Sequence, residues 1–149
     1  MRLYAQPRPV IDPHEWPGME LYAATILLEA EGEPEIGKQG VAWVIRNRLD
    51  ERRASLYDVI LAPYQFSCWN SDYSGQRKAR LTGVNIPLWE SCWQIATGVY
   101  YRWIPDPTMG ANHYLNVAVT KQMNNGRLPS WYDPLKVTMN LGRHTFLKL

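Results

Sequence analysis

Three glutamates spaced two residues apart are the most distinctive chemical feature of the sequence. They are Glu29, Glu31 and Glu33, in the segment Glu-Ala-Glu-Gly-Glu-Pro. A carboxylic acid that stays protonated near neutral pH can protonate the leaving oxygen of a glycosidic bond, as the general acid of a glycosidase does. This segment is therefore a candidate source of acid–base chemistry.

Glu29 is the glutamate whose surroundings most favour the protonated form. Apolar residues recur at helical spacing from Leu21 to Leu28, which predicts a helix that begins at Met19 and carries Glu29 inward in its last turn. The negative end of the helix dipole, the apolar neighbours and the nearby carboxylates would all raise the pKa of this acid. Glutamates at helix ends are most often solvated surface charges, and the residues alone leave that interpretation open.

Three further helices are predicted from apolar periodicity, at residues 35–51, 56–61 and 87–103. The first of them places Gly37 and Gly40 on its inward face. Because a glycine has no side chain, two on one face indicate close approach to another helix.

The remaining segments read as a loop and strands. Residues 62–86 show no sustained periodicity, which predicts a long loop of the kind that is usually functional or mobile. Residues 113–120 are strand-like, and residues 136–140 and 143–149 predict a hairpin that turns at Gly142. Helices first and strands last predict an α+β fold with a helical core and a small antiparallel sheet near the C-terminus.

The composition is that of one globular domain. The chain has 149 residues, of which 46% are hydrophobic and 20% charged, which excludes a disordered chain. No run reaches the roughly 18 apolar residues of a transmembrane helix, and the first 18 residues show no apolar segment of a signal peptide. Two cysteines exclude a disulfide framework. We predict a proline-rich, irregular arm at residues 1–18 and a single domain at residues 19–149.

Charge and aromatic content suggest a flat, polar ligand. The net charge of +2 is too small to indicate a nucleic-acid partner, although residues 1–58 sum to −3 and residues 59–149 to +5. Seven Trp and nine Tyr accompany only two Phe. Trp and Tyr combine an apolar face with a polar edge, which suits grooves where sugars or bases stack, although most of them are expected in the core.

The order of several motifs resembles that of the SleB/CwlJ-type cell-wall hydrolases. Residues 27–49, LLEAEGEPEIGKQGVAWVIRNRL, are similar to the family's opening GEARGEP motif and the helix that follows it. Four later blocks match in the same order, and together the five blocks cover residues 20–147. They are PYQFSC at 63–68, GANHY at 110–114, PSW at 129–131 and LGRHTF at 141–146.

This resemblance implies a lysozyme-like α+β catalytic domain that cuts peptidoglycan glycan strands without a cofactor or metal. The family's single essential glutamate is the first of its motif and corresponds to Glu29. Better-known members are lytic transglycosylases: the acid protonates the bond between N-acetylmuramic acid and N-acetylglucosamine, and the muramyl C6 hydroxyl attacks to leave a 1,6-anhydro end. Here Leu28 and Glu31 replace the usual Gly and Arg. Losing that Arg should raise the pKa of the acid, and it leaves Glu33 as an alternative acid, although Glu29 is favoured.

Polar and aromatic residues in the matching blocks are the candidates for sugar binding. Amide and hydroxyl groups suit acetamido and hydroxyl substituents, whereas Trp69 and Trp131, which lie in loops, suit stacking. By contrast, Trp43, Trp89 and Trp93 lie within helices and are predicted in the core. The predicted substrate-binding residues are Glu33, Gln65, Phe66, Ser67, Trp69, Asn112, His113, Tyr114, Trp131 and His144.

Three alternative functions remain open at this point. A Cys-His amidase or peptidase would use Cys68 with His113 or His144, provided that an imidazole activates the thiol. A metal enzyme built on the two histidines and a glutamate lacks any HExxH-like spacing. A non-catalytic glycan- or nucleic-acid-binding module would use the tryptophans and the basic cluster of Arg77, Lys78 and Arg80.

The expected partner is peptidoglycan, with no nucleic acid and no membrane, and the expected oligomeric state is a monomer. A short chain without a signal peptide or wall-binding module resembles a phage endolysin or a virion-associated enzyme. We therefore expect the protein in the host cytoplasm before a holin releases it to the periplasm and cell wall, or on the virion. Whether Cys68 pairs with Cys92 is left open.

Overall fold

A computed structural model describes residues 12–63 and 65–149, which form a helical body and a small C-terminal sheet. The helices are α1 (Gly18–Ala30), α2 (Glu35–Arg52), α3 (Leu56–Ile60), α4 (Ser74–Thr82), α5 (Ile86–Tyr100) and α6 (Val117–Met123). The strands are β1 (His113–Leu115), β2 (Val137–Leu141) and β3 (His144–Leu147), which pair antiparallel in the order β1-β3-β2. The predicted α+β fold with a C-terminal antiparallel sheet is confirmed.

Helix α1 is the centre of the helical body. All its residues from Glu20 to Leu28 are buried, and it packs against α2, α3 and α5. Its two buried hydroxyls are satisfied, because the Tyr22 hydroxyl donates to the Ala42 carbonyl oxygen, and Thr25 Oγ1 donates to the Leu21 carbonyl oxygen at 2.7 Å and accepts from Trp69 Nε1 at 2.9 Å. Burial on every side fixes the position of α1, and the last turn of this helix holds the half-buried Glu29 at the edge of the core.

The N-terminal arm is described from Asp12 onward. A short 3₁₀ helix, Pro13–Glu15, precedes Trp16, which is 1% exposed and packs edge-on against Trp69 with ring centroids 6.0 Å apart. This end of the arm is therefore part of the core. Residues 1–11 lie outside the described residues, and the division between an arm and a single domain stays a prediction.

The glycines of α2 allow the sheet, and not another helix, to approach. A Cβ at Gly40 would lie 2.5 Å from Cζ of Phe146 on β3, and one at Gly37 would lie 3.7 Å from the Leu141 carbonyl oxygen on β2. The prediction of a helix partner is therefore wrong. Phe146 is fully buried in a second, smaller cluster between α2 and the sheet.

Two predictions of secondary structure are wrong, whereas the helices at 35–51, 56–61 and 87–103 and the hairpin are confirmed as α2, α3, α5 and β2–β3. The predicted loop contains α4, which buries only Arg77 and Leu81 and so shows little apolar periodicity. The predicted strand ends at Leu115, because Asn116 Oδ1 accepts from the Val119 backbone N–H at 3.0 Å and starts α6 despite its β-branched residues.

Candidate active site

Glu29 lies where two open cavities meet at the end of α1. The loop cavity has a volume of about 570 Å³ and the aromatic cavity about 640 Å³. The loop cavity is lined by residues 28–33 with Arg80, Asn116, Arg143 and His144. The aromatic cavity is lined by Glu29, Arg48, Gln65, Phe66, Ser67, His113, Tyr114, Leu115, Thr120, Asn124, Pro129 and Trp131. Glu29 is the residue common to the two linings.

The surroundings of the Glu29 carboxyl favour its neutral form. Oε2 accepts a hydrogen bond from the Tyr114 hydroxyl at 3.1 Å, whereas Oε1 is shielded from solvent and no donor among the described residues approaches it in good hydrogen-bond geometry. Burial raises the pKa of Glu29 above its usual 4.5, although the Cys68 thiol and amide, the Tyr114 hydroxyl and Arg80 partly oppose this. A carboxyl with one oxygen shielded from solvent is costly as an anion. Glu29 is therefore suited to hold a proton.

Tyr114 reaches Glu29 because β1 pairs with β3 at the edge of the helical body. It is opposite Phe146 in the register, and its ring lies 5.0 Å from that of His144. Burial, with Glu29 nearby, raises the pKa of Tyr114 far above its usual value. The phenol consequently stays protonated and donates to the carboxyl of Glu29.

The Glu33 carboxyl is hydrogen-bonded to the hairpin of β2 and β3. Its Oε1 accepts from the Arg143 backbone N–H at 2.9 Å, and its Oε2 accepts from Arg143 Nε at 3.2 Å. His144 Nδ1 lies 3.5 Å from Oε1, and the Glu33 backbone oxygen accepts from Lys38 Nζ at 2.9 Å. Both carboxyl oxygens therefore join the loop after α1 to the turn between β2 and β3, which suits a structural residue.

The family assignment follows from a match over most of the chain. Residues 32–147 match the family described as Cell Wall Hydrolase. The chain belongs to the cell wall hydrolase family. The match begins at Gly32, just after Glu29, so the role of Glu29 has to be argued from its geometry. A search of curated protein sequences gives no significant match.

Two solved structures share the fold of this cell wall hydrolase. The catalytic domain of the Bacillus cereus SleB protein superposes with a TM-score of 0.62 at 23% identity, covering 88% of this chain and 89% of that chain. The catalytic domain of the germination-specific lytic transglycosylase SleB from Bacillus anthracis gives 0.61 at 22% identity, covering 92% and 100%. The predicted membership of a SleB/CwlJ-type family is confirmed.

In this hydrolase the aromatic cavity brings together most of the predicted sugar-binding residues. Gln65 and Ser67 are exposed at its edge, and Phe66 is a buried part of its wall. Trp131 is 37% exposed, and its ring centroid lies 4.9 Å from that of His113. An exposed indole beside an imidazole offers the stacking face that the sequence predicts. Glu33 and His144 line the loop cavity on the other side of Glu29.

His113 presents an unprotonated nitrogen. Burial, followed by the charges of Arg48 and Arg52, lowers the pKa of His113 to about 4. Its Nδ1 lies 3.0 Å from Asn112 Oδ1, an acceptor that also receives the Leu149 backbone N–H. Nδ1 therefore carries the hydrogen. This leaves Nε2 of the neutral ring as an acceptor, which suits a sugar hydroxyl.

Two of the predicted substrate-binding residues, Trp69 and Asn112, line neither of the two cavities. Trp69 is 9% exposed and its indole N–H donates to Thr25, so its ring is not available for stacking. Asn112 is 7% exposed and its amide N–H donates to Glu51 and to the Leu149 carbonyl oxygen. The predicted roles of both residues are therefore wrong. A loop position in the sequence did not indicate exposure, because the 3₁₀ helix Ser67–Trp69 turns the indole inward.

Arg80 supplies a positive charge near Glu29, although Glu31 replaces the arginine that the family usually has at that position. Its Nη2 lies 2.8 Å from Glu31 Oε2, and its Nη1 donates to the Leu28 carbonyl oxygen and the Tyr73 hydroxyl, both at 2.9 Å. Arg80 thus caps the C-terminal end of α1 from α4. Its charge partly offsets the rise in the pKa of Glu29 that burial causes, so a cation lies near this acid although Glu31 stands where the family has Arg.

Sequence analysis missed how Arg48 is held. Nε of Arg48 donates to the Asn112 carbonyl oxygen at 2.7 Å, and its Nη1 donates to Gln65 Oε1 at 3.3 Å. The sequence also provided no indication of three polar residues, within and beside α6, that line the loop and aromatic cavities. They are Asn116, Thr120 and Asn124. Their β-branched neighbours obscured the helix.

The geometry disfavours the Cys-His alternative. Cys68 is a free thiol, 3% exposed, and burial with Glu29 nearby raises its pKa well above the usual value. A nucleophilic cysteine needs the opposite shift and an imidazole partner. Instead, Nδ1 of His113 contacts Asn112 and Nδ1 of His144 faces Glu33. Cys92 is also a free, buried thiol.

The basic cluster is largely occupied within the fold. Arg77 is 3% exposed, donates to the Cys68 carbonyl oxygen at 2.6 Å and lies over the Trp69 ring. Arg80 is paired with Glu31. A phosphate-binding patch on these arginines is therefore not supported. In the described ranges 12–63 and 65–149, no three metal-ligating side chains converge, and no helix is long and apolar enough to cross a membrane.

Proposed function

We propose that this cell wall hydrolase cleaves the glycan strands of peptidoglycan between N-acetylmuramic acid and N-acetylglucosamine, with Glu29 as the acid. The observation that carries the proposal is the raised pKa of Glu29, a half-buried carboxyl that lines both cavities of one groove. The fold shared with a catalytic domain described as a lytic transglycosylase supports the same reaction.

The proposed reaction needs one carboxyl in two protonation states. Protonated Glu29 donates to the glycosidic oxygen, and the bond between that oxygen and the muramyl C1 breaks to leave an oxocarbenium-like centre. The Glu29 carboxylate then takes the proton of the muramyl C6 hydroxyl, whose oxygen bonds to C1. The products are a strand with a free N-acetylglucosamine C4 hydroxyl and one with a 1,6-anhydro end, and Glu29 is protonated again.

The acidic side chains around Glu29 support transglycosylation over a two-carboxylate hydrolysis. The other acidic residues that line the two cavities, among the residues described, are Glu31 and Glu33. Glu31 is paired with Arg80, and Glu33 is held by Arg143. A retaining or inverting glycosidase needs a second carboxylate free to act as nucleophile or base.

Mass spectrometry of digested peptidoglycan tests the proposal. We expect muropeptides with 1,6-anhydromuramyl ends, and no free peptides. Products one water heavier, with reducing muramic acid ends, would show hydrolysis by the same acid. Release of peptides with intact glycan strands would contradict the assignment of a glycan-cleaving activity.

Removing Arg80 should shift the pH dependence of lysis. Because Arg80 stabilises the anion of Glu29, Arg80→Ala should raise the pKa of the acid further and move the basic limb of the pH–rate profile to higher pH. Arg80→Lys, which keeps the charge, is the matched control. The charge swap Glu31→Arg with Arg80→Glu should bring the limb back towards the wild-type position. If the basic limb of the pH–rate profile is unchanged in Arg80→Ala, the ionisation of Glu29 does not determine that limb.

We also propose the delivery route that the sequence suggested: accumulation in a host cytoplasm with release to the wall by a holin, or carriage on a virion. The protein is expected to act as a monomer on peptidoglycan. Fractionation of infected cells and of purified virions would distinguish the two routes.

A further inference from the structure

The groove continues beyond the two cavities that meet at Glu29. A third cavity of about 440 Å³, the turn cavity, is lined by residues 123–125 and 127–129 at the end of α6. It shares Asn124 and Pro129 with the aromatic cavity, just as the aromatic and loop cavities share Glu29. The shared residues place the three cavities in sequence, with Glu29 off-centre.

One face of α6 follows all three cavities. Asn116 lines the loop cavity, Thr120 the aromatic cavity, and Asn124 both the aromatic and turn cavities. Residues four apart lie on one face of a helix, and the rise of 1.5 Å per residue gives about 12 Å from Asn116 to Asn124. A polar stripe of amide and hydroxyl groups therefore forms one wall of a continuous groove.

The turn cavity is held in shape by backbone hydrogen bonds. The Gly126 N–H donates to the Lys121 carbonyl oxygen at 2.7 Å, and the Arg127 N–H donates to the Asn124 carbonyl oxygen at 3.0 Å. Asn125 and Gly126 adopt φ of 53° and 81°, the left-handed conformation that reverses the chain after α6. The cavity is thus formed before any ligand binds.

We propose that the turn cavity is a distal subsite for the glycan strand, and this rests on the proposed function. Amides of Asn124 and Asn125 suit acetamido and hydroxyl groups, and the exposed Met123 offers an apolar surface to a pyranose ring. Arg127 can bind a carboxylate of the peptide stem on muramic acid. The enzyme consequently holds more of the strand on the turn-cavity side of Glu29 than on the other and prefers long strands.

The test compares long and short glycans in two variants. Arg127→Ala and Asn125→Ala should lower kcat/KM on long strands by about tenfold, and leave unchanged the turnover of the shortest oligosaccharide that is cleaved. Lys121→Ala, which removes an exposed cation of α6 that lines none of the three cavities, is the matched control. On strands whose stems have been removed by an amidase, the effect of Arg127→Ala should disappear.

Two results would overturn the distal subsite. Equal losses on long and short glycans would mean that the variants disturb the fold or the centre, and no loss on either would mean that the turn cavity binds nothing. Binding of undigested strands to Glu29→Gln protein separates this outcome from a failure of the proposed cleavage. Arg127→Ala should weaken that binding about tenfold even if no cleavage is detected, and unchanged binding would refute the subsite.

Discussion

Glu29→Gln is expected to lyse purified cell walls at least about 1,000 times more slowly than the wild type. The amide keeps the shape and size of the carboxyl but has no acidic proton to transfer to the glycosidic oxygen, and general acid catalysis contributes about 10²–10⁴ to such rates. Loss of turbidity of a cell-wall suspension measures the rate. Circular dichroism should show an unchanged fold, because Gln can still accept from Tyr114.

The same variant should be more stable than the wild type at neutral pH. Below pH 4.5 the carboxyl is protonated in both the folded and the unfolded wild type, so the two proteins should be equally stable. As the pH rises, the unfolded chain loses its proton first, because burial raises the pKa of Glu29 in the folded chain. The free energy of unfolding of the wild type should therefore fall relative to the variant, measured by urea denaturation across pH.

Glu33→Gln is the matched control for the identity of the acid. It should keep lysis within about tenfold of the wild type but lose about 1–3 kcal/mol of stability, because part of its buried contact with Arg143 and the hairpin is lost. A folded Glu33→Gln protein without activity, beside an active Glu29→Gln protein, would show that the acid had been assigned to the wrong residue.

Phe146→Ala should have the largest effect on stability. This ring is fully buried between α2 and β3, and removing a buried aromatic side chain costs about 3–5 kcal/mol. Tyr114 lies on β1, and β1 pairs with β3, which carries Phe146. The groove should therefore lose this wall before the helical body unfolds. Urea denaturation measures the loss, and hydrogen exchange should show the sheet opening first.

Gly40→Ala provides a second test of the same contact. Its Cβ would lie 2.5 Å from Cζ of Phe146, so the substitution should cost about 1–3 kcal/mol through overpacking. In the double variant the clash is gone, and the added methyl group partly fills the cavity. Gly40→Ala with Phe146→Ala should therefore be no less stable than Phe146→Ala alone. Additive losses would contradict this contact as the cause of the destabilisation, because helix propensity by itself favours alanine over glycine.

Long periodic helices and the hairpin could be predicted because each carries its signal within a single segment. Helix α5 buries a stripe of its own residues, α2 buries a long apolar segment at residues 40–45, and Gly142 supplies the left-handed φ of 59° that the hairpin turn requires. The short helices α4 and α6 carry no such signal, since each buries two residues or fewer. Their existence depends on caps and on contacts with distant parts of the chain.

The candidate acid could be named from the sequence, whereas most of its environment could not. Glu29 was identified from an apolar stripe and from its place in a family motif. The Tyr114 hydroxyl, the Arg80 cap and the commitment of Glu33 to Arg143 join residues that are 49 to 110 positions apart. Spacing along the chain cannot show such pairs. The inward turn of Trp69 was hidden for the same reason.

The sequence by itself therefore determined the α+β class, the family and the residue at the end of α1 that can hold a proton, because these follow from local periodicity and from motif order. The tertiary structure decided that burial raises the pKa of Glu29 and that both carboxyl oxygens of Glu33 bind Arg143, because burial and long-range hydrogen bonds depend on distant parts of the chain. It also decided how far the groove extends, since the residues that line its cavities come from α1 and from β1 and α6, which are distant from α1 in the sequence.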